Sequence, residues 1–502
     1  MKKVVVVGAG PGGIVATKEI LERGIDDVVC LESSQALGGV FSRSYENLLL
    51  TSSAVFSMFS DHWVGDGNEH HFWTKKEAVQ YWTNYAEEFG VSEKIKFGST
   101  VASAKLINGC YWELETCAGE QYRCEHLIIA IGNNNIPKYP EWMSELTSVA
   151  SSHSKDYFNA KSFADKRVLV VGGGESASDI AFEVSKVSEK TWVSLREATG
   201  WVVPRKRNGR AADMSTHRGV WNLPRDYGGK ISQAVLDFER KAQDPVSDAV
   251  VQLNNRLKAK KGMFGTYGTK TLALPLAMAN HGCSVVDGVD QVRKGGRELV
   301  TTSGEVLEDI DCVVFCTGYT NSVSFLTDEI CIETPRELYK HIFHPQTREK
   351  LAFIGWARPG FGSQFPIMEM QARLCSHVVS GDINLPSNGE MEKTAKEDKA
   401  VYLAQFEGNA KHINSLVDYH RYMDSIGDML NCVPPFWKYF LLRPNLWMRL
   451  VYGPTQATQF RLRGLGSKPE KAIQILRKIP VSGLNHIVKA GIRGRFRYMF
   501  RR

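Results

Sequence analysis

Val4-Val-Val-Val-Gly-Ala-Gly-Pro-Gly-Gly13 opens the chain with four β-branched residues, then glycines at 8, 10 and 13 in the spacing G-x-G-x-x-G. The valines predict a strand buried on both faces. Gly8 permits the tight turn that follows. Gly10 lets a pyrophosphate reach the backbone, and Gly13 lets the next helix pack close to the strand. That helix is expected over Ile14–Arg23, with Gly24 as its stop. A second strand, Val28–Leu31, ends in Glu32, 24 residues after Gly8. A carboxylate there accepts hydrogen bonds from both ribose hydroxyls of an adenine dinucleotide. Glycines alone are a weak signal; strand, helix, second strand and terminal acid in register are a strong one.

The unit repeats. Arg167-Val-Leu-Val-Val171 is followed by Gly172, Gly174 and Ala177 at the same spacing, and a strand over Thr191–Leu195 ends in Arg196, again 24 residues after the first glycine. Glutamate repels a 2′-phosphate and arginine pairs with one. The first cradle therefore suits a nucleotide with free ribose hydroxyls and the second suits NADP. Two cradles in one chain imply hydride transfer between two cofactors, with FAD in the first and NADPH in the second. The fold class expected is α/β, with two Rossmann-like dinucleotide-binding domains, the second inserted in the first.

Bulk composition agrees with a globular enzyme. The chain has 502 residues, 43% hydrophobic and 23% charged, enough for about two or three domains. A net charge of +7 biases it towards anionic ligands and is too mild for a nucleic-acid signature. Ten cysteines include no C-x-x-C pair, which excludes a zinc pattern and a dithiol reductase. Val4–Val7 is too short for a signal h-region and no long apolar run follows, so the expected location is intracellular, cytoplasmic or peripheral on the cytoplasmic face of a membrane.

Between the cradles, 75–90 carries helical spacing, and short strands are expected at Ile95–Phe97, Val101–Leu106, Tyr111–Thr116 and Leu127–Ile131. Ala130-Ile-Gly132 and Cys316-Thr-Gly-Tyr319 are strand ends expected to pass near a cofactor, the second also marking a return to the first domain. Residues 205–280, with helical patterns at Ile231–Arg240 and Val246–Leu257, read as an insertion covering the site. Strands resume near Glu298–Thr302 and Cys312–Phe315. The domain expectation is 1–160 and 321–480 for FAD, 161–320 for NADPH, and a basic amphipathic tail at 481–502. That tail places Leu484, Ile487, Val488, Ile492 and Phe496 on one stripe beside six cations and no acid. It suits either peripheral membrane contact or docking on the protein.

Four ordered strings narrow the class. His153-Ser-Lys-Asp-Tyr157, Phe315-Cys-Thr-Gly-Tyr319, Phe365-Pro-Ile-Met-Glu-Met-Gln-Ala-Arg373 and Leu450-Val-Tyr-Gly-Pro454 with Gln459-Phe-Arg-Leu-Arg-Gly-Leu-Gly466 resemble elements of the long, animal-type flavin-containing monooxygenases. The resemblance implies an N,N-dimethylaniline monooxygenase type of enzyme. It adds one oxygen atom of O2 to a nitrogen or sulfur nucleophile of a small molecule through a C4a-hydroperoxyflavin. It implies that Gly8, Ala9, Gly10, Pro11, Gly12, Gly13, Glu32, Gly39, Val40, Phe41, Leu50, Thr51, Ser52 and Val101 contact FAD. Gly172, Gly174, Ser176, Ala177, Ser178, Asp179 and Arg196 would contact NADP. Thr51 is the catalytic candidate, and no metal is implied. The chain departs from the pattern at Thr147 and Val149, where F-x-G would fall; at Thr51, often asparagine; and at Glu175, a helix-start asparagine in the family. These departures keep open an NADPH oxidase that releases hydrogen peroxide; a Baeyer-Villiger-type ketone oxygenase is the other alternative.

Overall fold

The computed structural model describes residues 1–481 except 66–69, 197–199, 208, 222–229, 231–243, 258–260, 321, 327–329, 331, 409 and 411–412. The helical pattern expected at Ile231–Arg240 and the tail stripe lie outside the described residues.

Two sheets carry the two cradles. The first is ordered Ile95–Lys96, Val28–Leu31, Lys2–Val7, Gln121–Ile129, Tyr111–Thr116, Val101–Ile107, with Leu351–Phe353 alongside Gln121–Ile129. Its central strands pair in parallel, Val4 with Val28 and with His126. The second sheet is wholly parallel in the order Ala150–His153, Cys312–Phe315, Arg167–Val171, Lys190–Leu195, Ser284–Asp287. Every strand of the second sheet thus falls, in sequence, between Gln121–Ile129 and Leu351–Phe353 of the first. The second Rossmann-like unit is inserted in the first, as the repeat predicts.

The glycine units form as their residue types dictate. Val4 to Val7 are buried on both faces, and the helix Pro11–Glu22 starts at Gly10 with proline in its first turn. The helix Glu175–Ser185 starts the same way at Gly174. The first glycine of each unit is at positive φ, +103° for Gly8 and +129° for Gly172. A methyl on Gly8 would lie 2.7 Å from the Ala130 carbonyl oxygen, and one on Gly172 would overlap the Cys316 carbonyl. Ala130 and Cys316 begin the two strand-end strings singled out in the sequence, so each string closes one cradle from the neighbouring strand.

Several boundaries differ from expectation. The strand expected at Leu127–Ile131 is the end of Gln121–Ile129. The strand Glu298–Thr301 belongs to a separate antiparallel sheet. After Cys316–Tyr319 the chain meets the first sheet again in a bridge from Leu326 to Ala104 and adds the strand Leu351–Phe353, whose three residues are too few to show a strand period. Residues 205–280 supply short strands at Lys206–Arg207 and Tyr267–Thr269 as well as the helix Pro245–Leu257. Every described cysteine is a free thiol, and no described helix is long and apolar enough to cross a membrane.

The late segment closes the first unit with buried charge. Arg461 donates to Glu19 at 2.6 Å and to Glu369 at 3.0 Å, and all three side chains are buried. Lys18 bridges Glu19, Glu22 and Asp61, and Lys468 reaches Glu22 at 2.5 Å and Asp61 at 3.3 Å. Glu19, Glu22 and Asp61 converge, but cations of the chain fill the space between them. Burial opposes each carboxylate; Arg461 and Lys18 outweigh it and hold Glu19 below its ordinary value, and Lys18 brings Glu22 down to about 2. Breaking such a network strands a buried charge. Arg461→Met is expected to cost about 3–5 kcal/mol of stability by urea unfolding. Because the folded carboxyls titrate below their unfolded value of 4.5, their stabilisation is complete above that pH. The urea midpoint of the native protein is expected to fall as the pH drops from 4.5 towards 2, and the Arg461→Met variant is expected to lose the part of that dependence that Glu19 carries and to keep the part that Glu22 owes to Lys18.

Candidate functional site

A cleft of about 1350 Å3 runs between the two sheets. The first unit lines it with Val40, Phe41, Leu50, Thr51 and Ser52. The second lines it with Gly172, Gly173, Gly174, Ser176, Ala177, Asp179 and Arg196. Gly8, Ala9, Gly10, Pro11, Gly12, Gly13, Glu32 and Gly39 are not on its wall, and Gly38 donates to the Ala9 carbonyl at 2.9 Å. Val101 is buried among Val5, Val7, Val29 and Leu31, and Ser178 is buried on its helix, its hydroxyl donating to the Gly174 carbonyl at 3.1 Å. The structure therefore brings the second glycine loop and the 40–52 segment together, and sets the first glycine loop apart from that wall.

The first helix nonetheless has the chemistry of an anion cradle. No side chain caps Pro11–Glu22, and its first turn holds no acid. Its free amide groups and the positive end of its dipole suit a pyrophosphate. Gly10 and Gly39 face each other closely: a methyl on Gly39 would lie 3.1 Å from the Gly10 Cα, so side chains at these positions would narrow the approach. Glu32 is buried and accepts from the Ala9 amide at 2.7 Å and from the Ser34 amide at 2.8 Å. The Ser34 and Ser33 hydroxyls also donate to its Oε1, at 2.7 and 3.3 Å, so the acceptor position left for a ribose hydroxyl is on Oε2, which takes the Ala9 amide alone. These residues fit the adenine dinucleotide that the spacing implies.

The second cradle differs in two ways. Arg196 is exposed on the cleft wall, where Glu32 of the first unit is buried. Glu175 stands in the first turn of Glu175–Ser185, facing the Tyr267 hydroxyl at 3.4 Å. That contact draws the carboxylate towards Tyr267 at the position where a phosphate would meet the helix amides. Asp179 accepts from Tyr45 at 2.9 Å, Thr271 at 3.0 Å and Arg205 at 3.3 Å. It ties the first unit, the second unit and the insertion together, a role its place in the motif did not signal. Burial of the hydroxyl, with the Asp179 carboxylate beside it, holds Tyr45 well above the ordinary tyrosine range.

The 40–52 segment and the insertion meet beside Thr51. Asp213, buried, accepts from the Ser53 amide at 2.6 Å, and burial pushes its carboxyl up. Lys270 lines the cleft, donates to the Gly362 carbonyl at 2.6 Å and is lowered by burial. Neither residue belongs to a motif; both come from the insertion, Lys270 onto the cleft wall and Asp213 onto the Ser53 amide, so no local spacing marks them. His153 is not in a linker but ends the strand Ala150–His153, buried; its ring accepts from the Lys155 amide at 3.1 Å and faces the Gly318 carbonyl at 3.1 Å.

A flavin-binding monooxygenase-like family model matches residues 1–479. The chain belongs to that family of flavin-dependent monooxygenases, whose cofactors are FAD and NADPH. A 4-hydroxybenzoate brominase (decarboxylating) of Pseudoalteromonas luteoviolacea is 32% identical, with 95% of this chain and 93% of that protein covered. A flavin-containing monooxygenase 5 of Oryctolagus cuniculus is 28% identical, with 93% and 89% covered. Among solved structures, S-allyl-L-cysteine S-oxygenase from Allium sativum matches with TM-score 0.62 at 16% identity over 99% of each chain. Cyclohexanone monooxygenase from Rhodococcus sp. Phi1 bound to NADP+ matches with TM-score 0.61 at 16% identity over 86% and 97%. At those identities the likeness is one of fold.

If Arg196 pairs with a 2′-phosphate, as its place after the second cradle implies, Arg196→Gln removes one charge-assisted contact. The expected result is a KM for NADPH raised about tenfold or more, with the KM for NADH little changed, by steady-state oxidation of each nucleotide.

Proposed function

We propose that this chain transfers one oxygen atom of O2 to a soft nucleophile of a small molecule and releases the other as water. NADPH supplies the two electrons. The observation that carries the reading is the shared cleft, with Thr51 and Ser52 on one side and Gly172–Gly174 and Arg196 on the other. The first unit would hold FAD through Gly8–Gly13, Glu32, Gly39 and the 40–52 segment, and the second would hold NADPH through Gly172–Ala177 and Arg196. The corresponding division of the chain is 1–160 with 321–480, and 161–320. Bound there, FAD supplies hydride acceptance and oxygen activation, which no side chain offers.

The protein's own part is positioning and exclusion of water. Thr51, on the strand Leu49–Ser53, offers one hydroxyl to the cleft, where an asparagine would offer two donors and an acceptor. Val40, Phe41, Phe365 and Met368 make one wall apolar.

Nitrogen and sulfur are the acceptors that the family resemblance favours. A second reading is favoured by the 32% identity to a 4-hydroxybenzoate brominase. Bromide is also a soft nucleophile, so the same activated oxygen would pass to it, and a phenolic acid would then take the halogen. The FAD-loaded protein should be offered NADPH and O2 with a tertiary amine, a sulfide, a ketone, or 4-hydroxybenzoate with bromide. One of these is expected to give product in equal amount to NADPH consumed. Peroxide equal to NADPH with every compound would replace the proposal with an NADPH oxidase. Thr51→Ala is expected to raise the peroxide formed per NADPH about fivefold while the rate of flavin reduction is unchanged, the scale of one lost hydrogen bond.

A further inference from the structure

The helix Phe436–Leu442 reads Phe-Trp-Lys-Tyr-Phe-Leu-Leu. Phe436 and Tyr439 pack onto an apolar cluster shared by the helices Pro444–Tyr452 and Pro469–Lys478. The other apolar side chains point to solvent: Trp437 is 72% exposed, Phe440 55%, Leu441 67% and Leu442 69%. Among the described residues no other element exposes as many large apolar side chains. Single exposed leucines need no explanation; four such side chains on one short helix mark a contact surface. None of the four lines the cleft.

Along 436–452 the charges carry one sign. From Phe436 to Tyr452 the chain has Lys438, Arg443 and Arg449 and no acid. Arg449 donates to the carbonyls of Leu476 at 2.9 Å and Ile479 at 2.7 Å, which fixes the end of Pro469–Lys478 to the same unit. Arg477 and Lys478 are exposed there. The chain then continues into 482–502, whose sequence adds six cations and no acid. An acid-free sequence with six cations thus follows directly on the unit that carries the exposed helix.

We propose that Phe436–Leu442 inserts into the headgroup layer of an anionic lipid surface, with the surrounding cations on the lipid phosphates. Tryptophan and phenylalanine sit well at that boundary, and lysine and arginine flank it. Seven helical residues span about 10 Å, enough to lie in the interface and too short to cross it. A second copy of the chain fits less well. A twofold contact through this helix would press Lys438 and Arg443 against their own counterparts.

The test is co-sedimentation of the full, FAD-loaded chain with vesicles of phosphatidylcholine, with and without phosphatidylglycerol. Binding is expected only to the vesicles containing phosphatidylglycerol, and it should weaken with salt. The double variant Leu441→Ser/Leu442→Ser is expected to bind about a hundredfold more weakly, roughly tenfold for each buried leucine lost, with flavin content and NADPH oxidation unchanged. Unchanged sedimentation of that variant would overturn the proposal in favour of binding by the 482–502 segment alone. Absence of sedimentation by the native chain would overturn it outright. A native dimer that the double variant converts to a monomer by light scattering would assign the surface to a second copy instead.

Discussion

Each cradle depends on one backbone contact in which a side chain has no room. Gly8 meets the Ala130 carbonyl and Gly172 meets the Cys316 carbonyl, both glycines at positive φ. That geometry lets the chain turn from strand into helix within three residues, so the helix amides face the space above the strand end. The neighbouring strand closes the turn from the side, the Ala130 amide on Val7 and the Cys316 amide on Val171, each at 2.8 Å. The same device used twice gives two phosphate-binding ends. The insertion of one unit in the other puts the second glycine loop and the 40–52 segment of the first unit on a common cleft.

The two ends then diverge by chemistry. Glu32 is buried and already hydrogen-bonded to the backbone it serves, whereas Arg196 is exposed on the cleft wall. A buried acid held by amides suits neutral hydroxyls, and an exposed guanidinium suits a dianion. Between them Asp179 fastens Tyr45 to Arg205 and Thr271, so the segment carrying Thr51 is tethered to the second cradle. Far behind the cleft, Arg461 locks the first helix to Gln364–Val379 through Glu19 and Glu369. This stabilises the frame, and none of the charged groups concerned faces the cleft.

What the sequence revealed depended on the range of the physics involved. The glycine units, their strands and their terminal acid and base were legible because each is local: period, turn and cap lie within about thirty residues. The helix Gln364–Val379 was found through a family string rather than by pattern, since it is buried on every side and has no amphipathic period. Lys270 was missed as a site residue because it reaches the cleft from the insertion without a motif, as was Asp213, which holds the Ser53 amide from the same insertion. The Arg461 network joins residues more than 400 positions apart, which no spacing rule encodes. The Ile231–Arg240 pattern and the tail stripe fall outside the described residues.

The central claim is that electrons pass from one nucleotide to the other across this cleft. Anaerobic stopped-flow mixing of the FAD-loaded chain with NADPH tests it most directly. The account predicts complete bleaching of the oxidised flavin band by one equivalent of NADPH. A chain that carries flavin and binds NADPH yet leaves that band unchanged would contradict it.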